Sequence, residues 1–213
     1  MKRDPATRAR LLAAGERLFA ERGFKKVTVR EICRSARANV AAVNYHFGDK
    51  LGLYREVLQS AIDRIRATNE AAREAGEGRP PEERLRRSIQ IFVTRLLSSD
   101  RDSVHRLIHR EINDPTPALD ALVEQGIRPR IDYLAGLVGE LLGVSPSDAR
   151  VMRCVASIQT QSIAYLPHPI ASRLGFTLSP RRAADIAAIA RHIADFSLAG
   201  VEAIGARKLE GRR

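Results

Sequence analysis

The 213-residue sequence is poor in aromatics (5%) and holds two cysteines. β-Branched alternation of the kind that marks strands is almost absent, while Ala, Arg and Leu dominate, so the fold expected is all-α. Cys33 and Cys154 lie far apart, each in an apolar helix face, and read as small buried hydrophobes rather than a disulfide. No apolar run approaches the roughly 20 residues that span a bilayer. Met1-Lys2-Arg3-Asp4-Pro5 does not lead into a signal-peptide core, so the expectation is a cytoplasmic protein with no membrane partner. There is no Walker-type glycine loop, no GxSxG elbow and no HExxH, so neither an enzyme nor a cofactor is expected.

Positive charge, by contrast, is plentiful and uneven. The net charge is +11; residues 1–60 hold 13 Lys/Arg against 6 Asp/Glu, and the remaining 153 residues hold 23 against 19. A basic N-terminal module is the electrostatic footprint of a polyanion partner. The basic arm Met1–Asp4 could touch phosphates, as such arms do in several DNA-binding folds. Pro5 suits a first helical turn, and the stripe Leu11, Leu12, Ala14, Gly15, Leu18, Phe19 carries that helix to about Arg22, where Gly23 stops it.

Thr28 is a good N-cap, and Glu31 three residues on completes a capping box, opening a short helix to about Ser35. Asn39 caps a second short helix whose apolar positions Val40, Val43 and Phe47 predict its buried face. Gly48 ends it, and a long helix starts near Lys50. Two short helices across a tight turn form a helix-turn-helix, the second helix entering a DNA major groove. In that geometry Asn39, Ala41, Ala42, Asn44 and Tyr45 face the groove, while Thr28, Arg37, His46 and Lys50 take phosphates.

The residues from Ala6 to about Leu58 resemble the DNA-binding domain of the TetR family of bacterial regulators. The resemblance rests on Leu18-Phe19-Ala20-Glu21-Arg22-Gly23-Phe24, Thr28-Val29-Arg30-Glu31-Ile32 and Tyr45-His46-Phe47-Gly48-Asp49-Lys50-Leu51-Gly52-Leu53-Tyr54. The chain departs from the family at Arg37, a turn position usually held by Gly; either the turn differs or Arg37 accepts a strained backbone. His109-Arg110-Glu111, Asp114-Pro115-Thr116-Pro117-Ala118-Leu119-Asp120, Ile127-Arg128-Pro129-Arg130 and Ser157-Ile158 with Gln161 resemble the CecR-like branch, as does the recognition stretch from Asn39 to Phe47.

The resemblance implies an N-terminal three-helix helix-turn-helix domain (1–50, with a linking helix 50–70) and a C-terminal helical ligand-binding and dimerisation domain (71–213). The break falls in the Gly- and Pro-containing Ala71–Pro81 stretch. It also implies an effector cavity, for which Phe92, Arg95, Leu96, His105, His109, Leu137, Leu141, Gln159, Gln161 and Tyr165 are candidates, each of which could equally make a structural contact. His105 and His109, spaced i, i+4, could share a metal only with a third ligand; no metal is expected. The last two helices, near Asp148–Leu166 and Arg181–Lys208, bracket an irregular segment from Pro167-His168-Pro169 to Pro180. The final helix is rich in small residues, and the resemblance sets Ala187, Ala190 and Ala194 in a homodimer seam; the alternative is that both helices belong to one subunit's core. The function expected is a repressor that binds a palindromic operator in double-stranded DNA and is released by a small-molecule effector of unknown identity. The alternatives are a sequence-nonspecific basic DNA binder, or a helical small-molecule-binding protein with a vestigial head.

Overall fold

The computed structural model describes residues 4–98, 102–166, 173, 180 and 182–210. Every regular element among them is helical, as the composition predicts: α1 (Pro5–Arg22), α2 (Val29–Ala36), α3 (Val40–Phe47), α4 (Lys50–Glu74), α5 (Pro81–Leu97), α6 (Asp102–Asn113) and α7 (Leu119–Ala121). A π-helix (Leu122–Ile127) runs into α8 (Arg128–Leu142), followed by α9 (Ala149–Ala164) and α10 (Ala183–Glu210). The arm Met1–Arg3 and the irregular segment around Pro167-His168-Pro169 and Thr177-Leu178-Ser179 lie outside the described residues. Pro129 restarts a helix, standing in the first turn of α8, where a missing N–H costs nothing.

The chain divides into two units: residues 1–65 with 100–126, and residues 66–99 with 127–213. The sequence-based boundary near residue 71 placed everything after it in one domain. The structure instead folds α6, α7 and most of the π-helix with the helix-turn-helix, because Leu107 and Ala118 complete the apolar core of α1–α4. That first core is built on Leu11, Phe19, Val27, Ile32, Val43, Leu53, Tyr54 and Leu58. Phe19 and Phe24 pack on Tyr54 within it, edge-to-face and tilted respectively, each with its centroid 4.9 Å from that of Tyr54.

Around α6 the first unit is tied by polar contacts. Arg110 donates to the Glu21 carbonyl at 2.7 Å, Lys25 pairs with Asp114, and Glu16 accepts from both Arg64 and Ser103 at 2.7 Å. The resemblance residues His109-Arg110-Glu111 and Asp114-Pro115-Thr116 therefore belong to the same unit as the helix-turn-helix.

The second unit has its own core: Leu85, Ile89 and Val93 of α5, Leu134, Leu137 and Val138 of α8, Val151, Val155 and Ile158 of α9, and Ile193, Leu198 and Val201 of α10. Ala190 and Ala194 sit inside this core at 2% and 0% exposure. Their assignment to a surface seam is thus corrected: α10 turns them inward against its own subunit. Ala187 is exposed.

Candidate nucleic-acid interface

The helix-turn-helix forms from local chemistry. The Glu31 N–H donates to Thr28 Oγ1 at 3.3 Å, while the Thr28 N–H and hydroxyl both donate to Glu31 Oε2 at 2.8 Å. This is the reciprocal capping box read from the sequence. Arg22 reaches the other Glu31 oxygen at 2.7 Å. That hydrogen bond, then those from the Thr28 N–H and hydroxyl, hold the Glu31 carboxyl down at about 2.

The turn passes through Arg37 at φ 50°, ψ 51°, the one non-glycine residue with positive φ among those described. Of the two options left by the missing glycine, the backbone takes the left-handed one. The adjoining Ala38 N–H donates to the Cys33 carbonyl at 2.9 Å and closes the turn. The αL conformation costs a residue with a Cβ roughly 1–2 kcal/mol, and it leaves the Arg37 side chain exposed.

Asn39 caps α3, its side-chain oxygen accepting from the Ala41 N–H at 3.0 Å. One oxygen of the groove-facing candidate Asn39 is therefore committed to the helix. Along α3, Val43 is buried and Phe47 half-buried, while Val40, Ala41, Asn44 and Tyr45 are exposed on one face. Two expectations are corrected. Val40, expected inside, is 40% exposed; Ala42, expected in the groove, packs half-buried against the core. Over eight residues the helix turns Val43, rather than Val40, into the core that holds Ile32 and Leu53, and the period alone does not select between them. His46 is half-buried, its ring 5.0 Å from Tyr45 and 6.0 Å from Phe47.

The join from α3 to α4 is close. A Cβ on Gly52 would stand 1.9 Å from the Phe47 carbonyl oxygen, so only glycine fits there. Lys50, assigned to phosphate from the sequence, has an internal role as well. Its ammonium donates to the carbonyls of Phe24 and Val27 at 3.0 Å each and lies 4.2 Å from the Phe24 ring centroid. One of its three N–H donors is left for another acceptor.

Sequence reasoning passed over two cations on α2. Arg30 and Arg34 are exposed and, with Arg37, recur at i, i+4, i+7, which brings them to one side of the helix and its turn. That spacing was visible in the sequence as a basic stripe opposite buried Ile32, Cys33 and Ala36. A small, polar helix face beside a row of guanidinium groups suits a groove bounded by phosphates.

The effector candidates are divided by the fold. His105 and His109 belong to the first unit, their rings 6.3 Å apart, and Asn113 lies 3.3 Å from His109 Nδ1. Among the described residues no group of three His, Cys, Asp or Glu could hold a metal. In the second unit, Arg95 donates to the Ala67 carbonyl at 3.1 Å, Gln161 contacts Ser197 at 3.4 Å, and Leu137 is fully buried. Leu141 and Tyr165 are half-buried against the core. Two open concavities of that unit, about 530 and 570 Å³, are lined by Gly136–Pro146 residues and by Arg73, Arg84, Tyr133 and the 76–79 turn. None of the candidates lines either.

A residue left off that list stands out. Arg130, in the first turn of α8, is buried, with its guanidinium 3.4 Å from the centroid of the Phe92 ring and its Nε donating to Gln159 Oε1 at 2.9 Å. Its Nη2 is buried and has no acceptor among the described residues. Burial pulls the guanidinium down to about 9, still a cation at neutral pH.

Residues 11–57 match the family described as "Bacterial regulatory proteins, tetR family", and residues 81–201 match "HTH-type transcriptional dual regulator CecR, C-terminal domain". The chain is 30% identical over 151 residues to the HTH-type transcriptional dual regulator CecR of Shigella flexneri, covering 67% of each. It is 31% identical over 142 residues to the HTH-type transcriptional repressor BepR of Brucella suis biovar 1, covering 63% of this chain and 64% of that one. A tetR-family bacterial regulatory protein from Rhodococcus RHA1 shares the fold, with a TM-score of 0.68 at 22% identity over 93% of this chain and 97% of that one. Capping box, αL turn and exposed α3 face thus coincide with the matched DNA-binding segment, and the chain belongs to the TetR family of DNA-binding transcriptional regulators, with a C-terminal domain of the CecR type.

Proposed function

We propose that the protein is a ligand-responsive repressor that reads a palindromic operator as a homodimer and is released from it by a small-molecule effector. The observation that carries this reading is the α3 face of Val40, Ala41, Asn44 and Tyr45, flanked by Arg30, Arg34 and Arg37. Ala41 admits close approach to thymine methyls, and Asn44 can bond a base edge. Arg37, His46 and the remaining Lys50 donor meet phosphates and set the register, whereas the Thr28 hydroxyl, assigned to phosphate from the sequence, gives its one proton to Glu31.

A palindrome requires a two-fold partner with recognition helices about 34–36 Å apart. Exposed Met152 and Ile163 on α9 and Phe196 on α10 support an isologous interface there, in place of Ala190 and Ala194. Phe196→Glu is expected to give a monomer by light scattering and to weaken operator binding; a dimer in that variant would locate the seam elsewhere. α4 is uninterrupted from Lys50 to Glu74, so displacement of its C-terminal end by a bound effector can reorient its N-terminal end. Release then follows if the effector favours the state with misplaced helices, and operator must weaken effector binding by the same factor.

Binding-site selection from random duplexes tests the reading. A recovered inverted repeat supports it. Uniform recovery with a steep salt dependence would instead identify a nonspecific phosphate binder.

A further inference from the structure

We propose that Arg130 is the counter-ion for an amphipathic carboxylate, which binds inside the second unit as the effector. This deepens the effector reading above and rests on it. Arg130 is 5% exposed and comes from the helix that the π-helical turn Leu122–Ile127 feeds. π-Helical turns are rare and frequently found at functional sites. Among the described residues no carboxylate pairs with Arg130, although a buried cation without a counter-charge is worse for folding than an apolar residue of similar volume. A purely structural role therefore leaves its charge unexplained, whereas an incoming anion accounts for it.

The guanidinium is oriented as a receptor would need. The Phe92 ring covers one face and Gln159 occupies Nε, so α5 and α9 fix the plane of the fork. The Nη2 edge is left buried and, among the described residues, unsatisfied. A planar fork held this way matches a carboxylate, whose two oxygens accept parallel N–H bonds. Ser88, one turn before Phe92 on α5, has the other buried side-chain polar atom without a partner among the described residues, its hydroxyl, and offers a further donor. The core of the unit is a large apolar cluster, with Ile131, Leu141 and Tyr165 half-buried on it. A ligand with one oxyanion and an apolar body fits that chemistry; a polyanion or a sugar does not.

The test compares 1-naphthoate and decanoate with the neutral 1-naphthamide and methyl decanoate. Binding is followed by calorimetry and thermal melting of the full-length protein without DNA, in wild type, Arg130→Met and Arg130→Lys. Wild type should bind at least one carboxylate ten-fold or more tighter than its neutral counterpart. Arg130→Met should melt higher than wild type when unliganded and lose that preference; Arg130→Lys should keep part of it. Equal affinity for the charged and neutral forms, undiminished carboxylate binding by Arg130→Met, or no carboxylate binding by wild type would each overturn the assignment. Release of operator by the neutral compounds alone would sink Arg130 as receptor and leave the effector reading standing. A protein that selects no operator fails that reading whatever Arg130 binds.

Discussion

The hydroxyl of Tyr54, buried on α4, donates to Glu111 of α6 at 2.5 Å, and the other Glu111 oxygen accepts both the N–H and the hydroxyl of Thr116 at 2.8 Å. Glu111 is wholly buried, and burial, then its carboxylate, pushes the Tyr54 hydroxyl well above the usual tyrosine range. Tyr54 thus stays a donor at any working pH. Tyr54→Phe should cost about 1.5–3 kcal/mol in denaturant unfolding, the usual worth of a hydrogen bond to a charged group. Glu111→Leu should cost more, since it also strands the Thr116 donors. A Tyr54→Phe variant as stable as wild type would show that the contact contributes nothing.

Arg37 sets stability against binding. Arg37→Gly removes an αL penalty and should raise stability by about 1 kcal/mol. It also removes a cation from the proposed phosphate row, so the slope of log affinity on log salt should fall by about 0.9. Melting curves and salt titrations on the same preparation check both signs; loss of stability would mean the side chain has contacts that outweigh its backbone.

Lys50 and Asn44 should separate in kind. Lys50→Ala frees the Phe24 and Val27 carbonyls, so it should lower the melting temperature as well as weaken binding to every sequence. Asn44→Ala, exposed on α3, should leave melting unchanged and cost about 1–3 kcal/mol of discrimination between operator and nonspecific duplex. Proportional losses on all sequences in both variants would refute the division.

Acid should loosen the capping box. The Glu31 carboxyl is depressed from 4.5 to about 2 in the folded protein, chiefly by its hydrogen bond from Arg22. A depressed acid stabilises fully above its unfolded value and loses that contribution as pH falls through its folded one. Glu31→Gln should therefore be less stable than wild type above about pH 4.5, with the gap closing toward pH 2. A gap that stays constant through that range would mean the charge of Glu31 plays no part.

What could be read from the sequence was what is decided locally. Thr28 with Glu31, Asn39 at its cap, and Gly23 and Gly48 past helix ends are choices made within a few residues, and each forms as expected. What failed depended on neighbours distant in sequence. Val40 and Val43 are equally apolar, and the core that other helices assemble decides which goes inside. In α10 the small residues surround the helix, so Ala187, exposed, and Ala190 and Ala194, buried, look alike from the sequence. Arg130 entered only as part of a resembling stretch; nothing in the sequence marked it as buried, because an arginine beside a proline in a basic chain reads as surface.

Because Leu107 and Ala118 are buried with Leu11, Phe19 and Tyr54, the DNA-reading part of this chain is discontinuous in sequence. A fragment ending near residue 65 would uncover that apolar seat and leave Tyr54 without its acceptor. A chimaera that transplants this DNA-binding unit onto another regulator must therefore carry two pieces, 1–65 and 100–126, and a partner domain grafted at a single junction after α4 would inherit an unfinished unit.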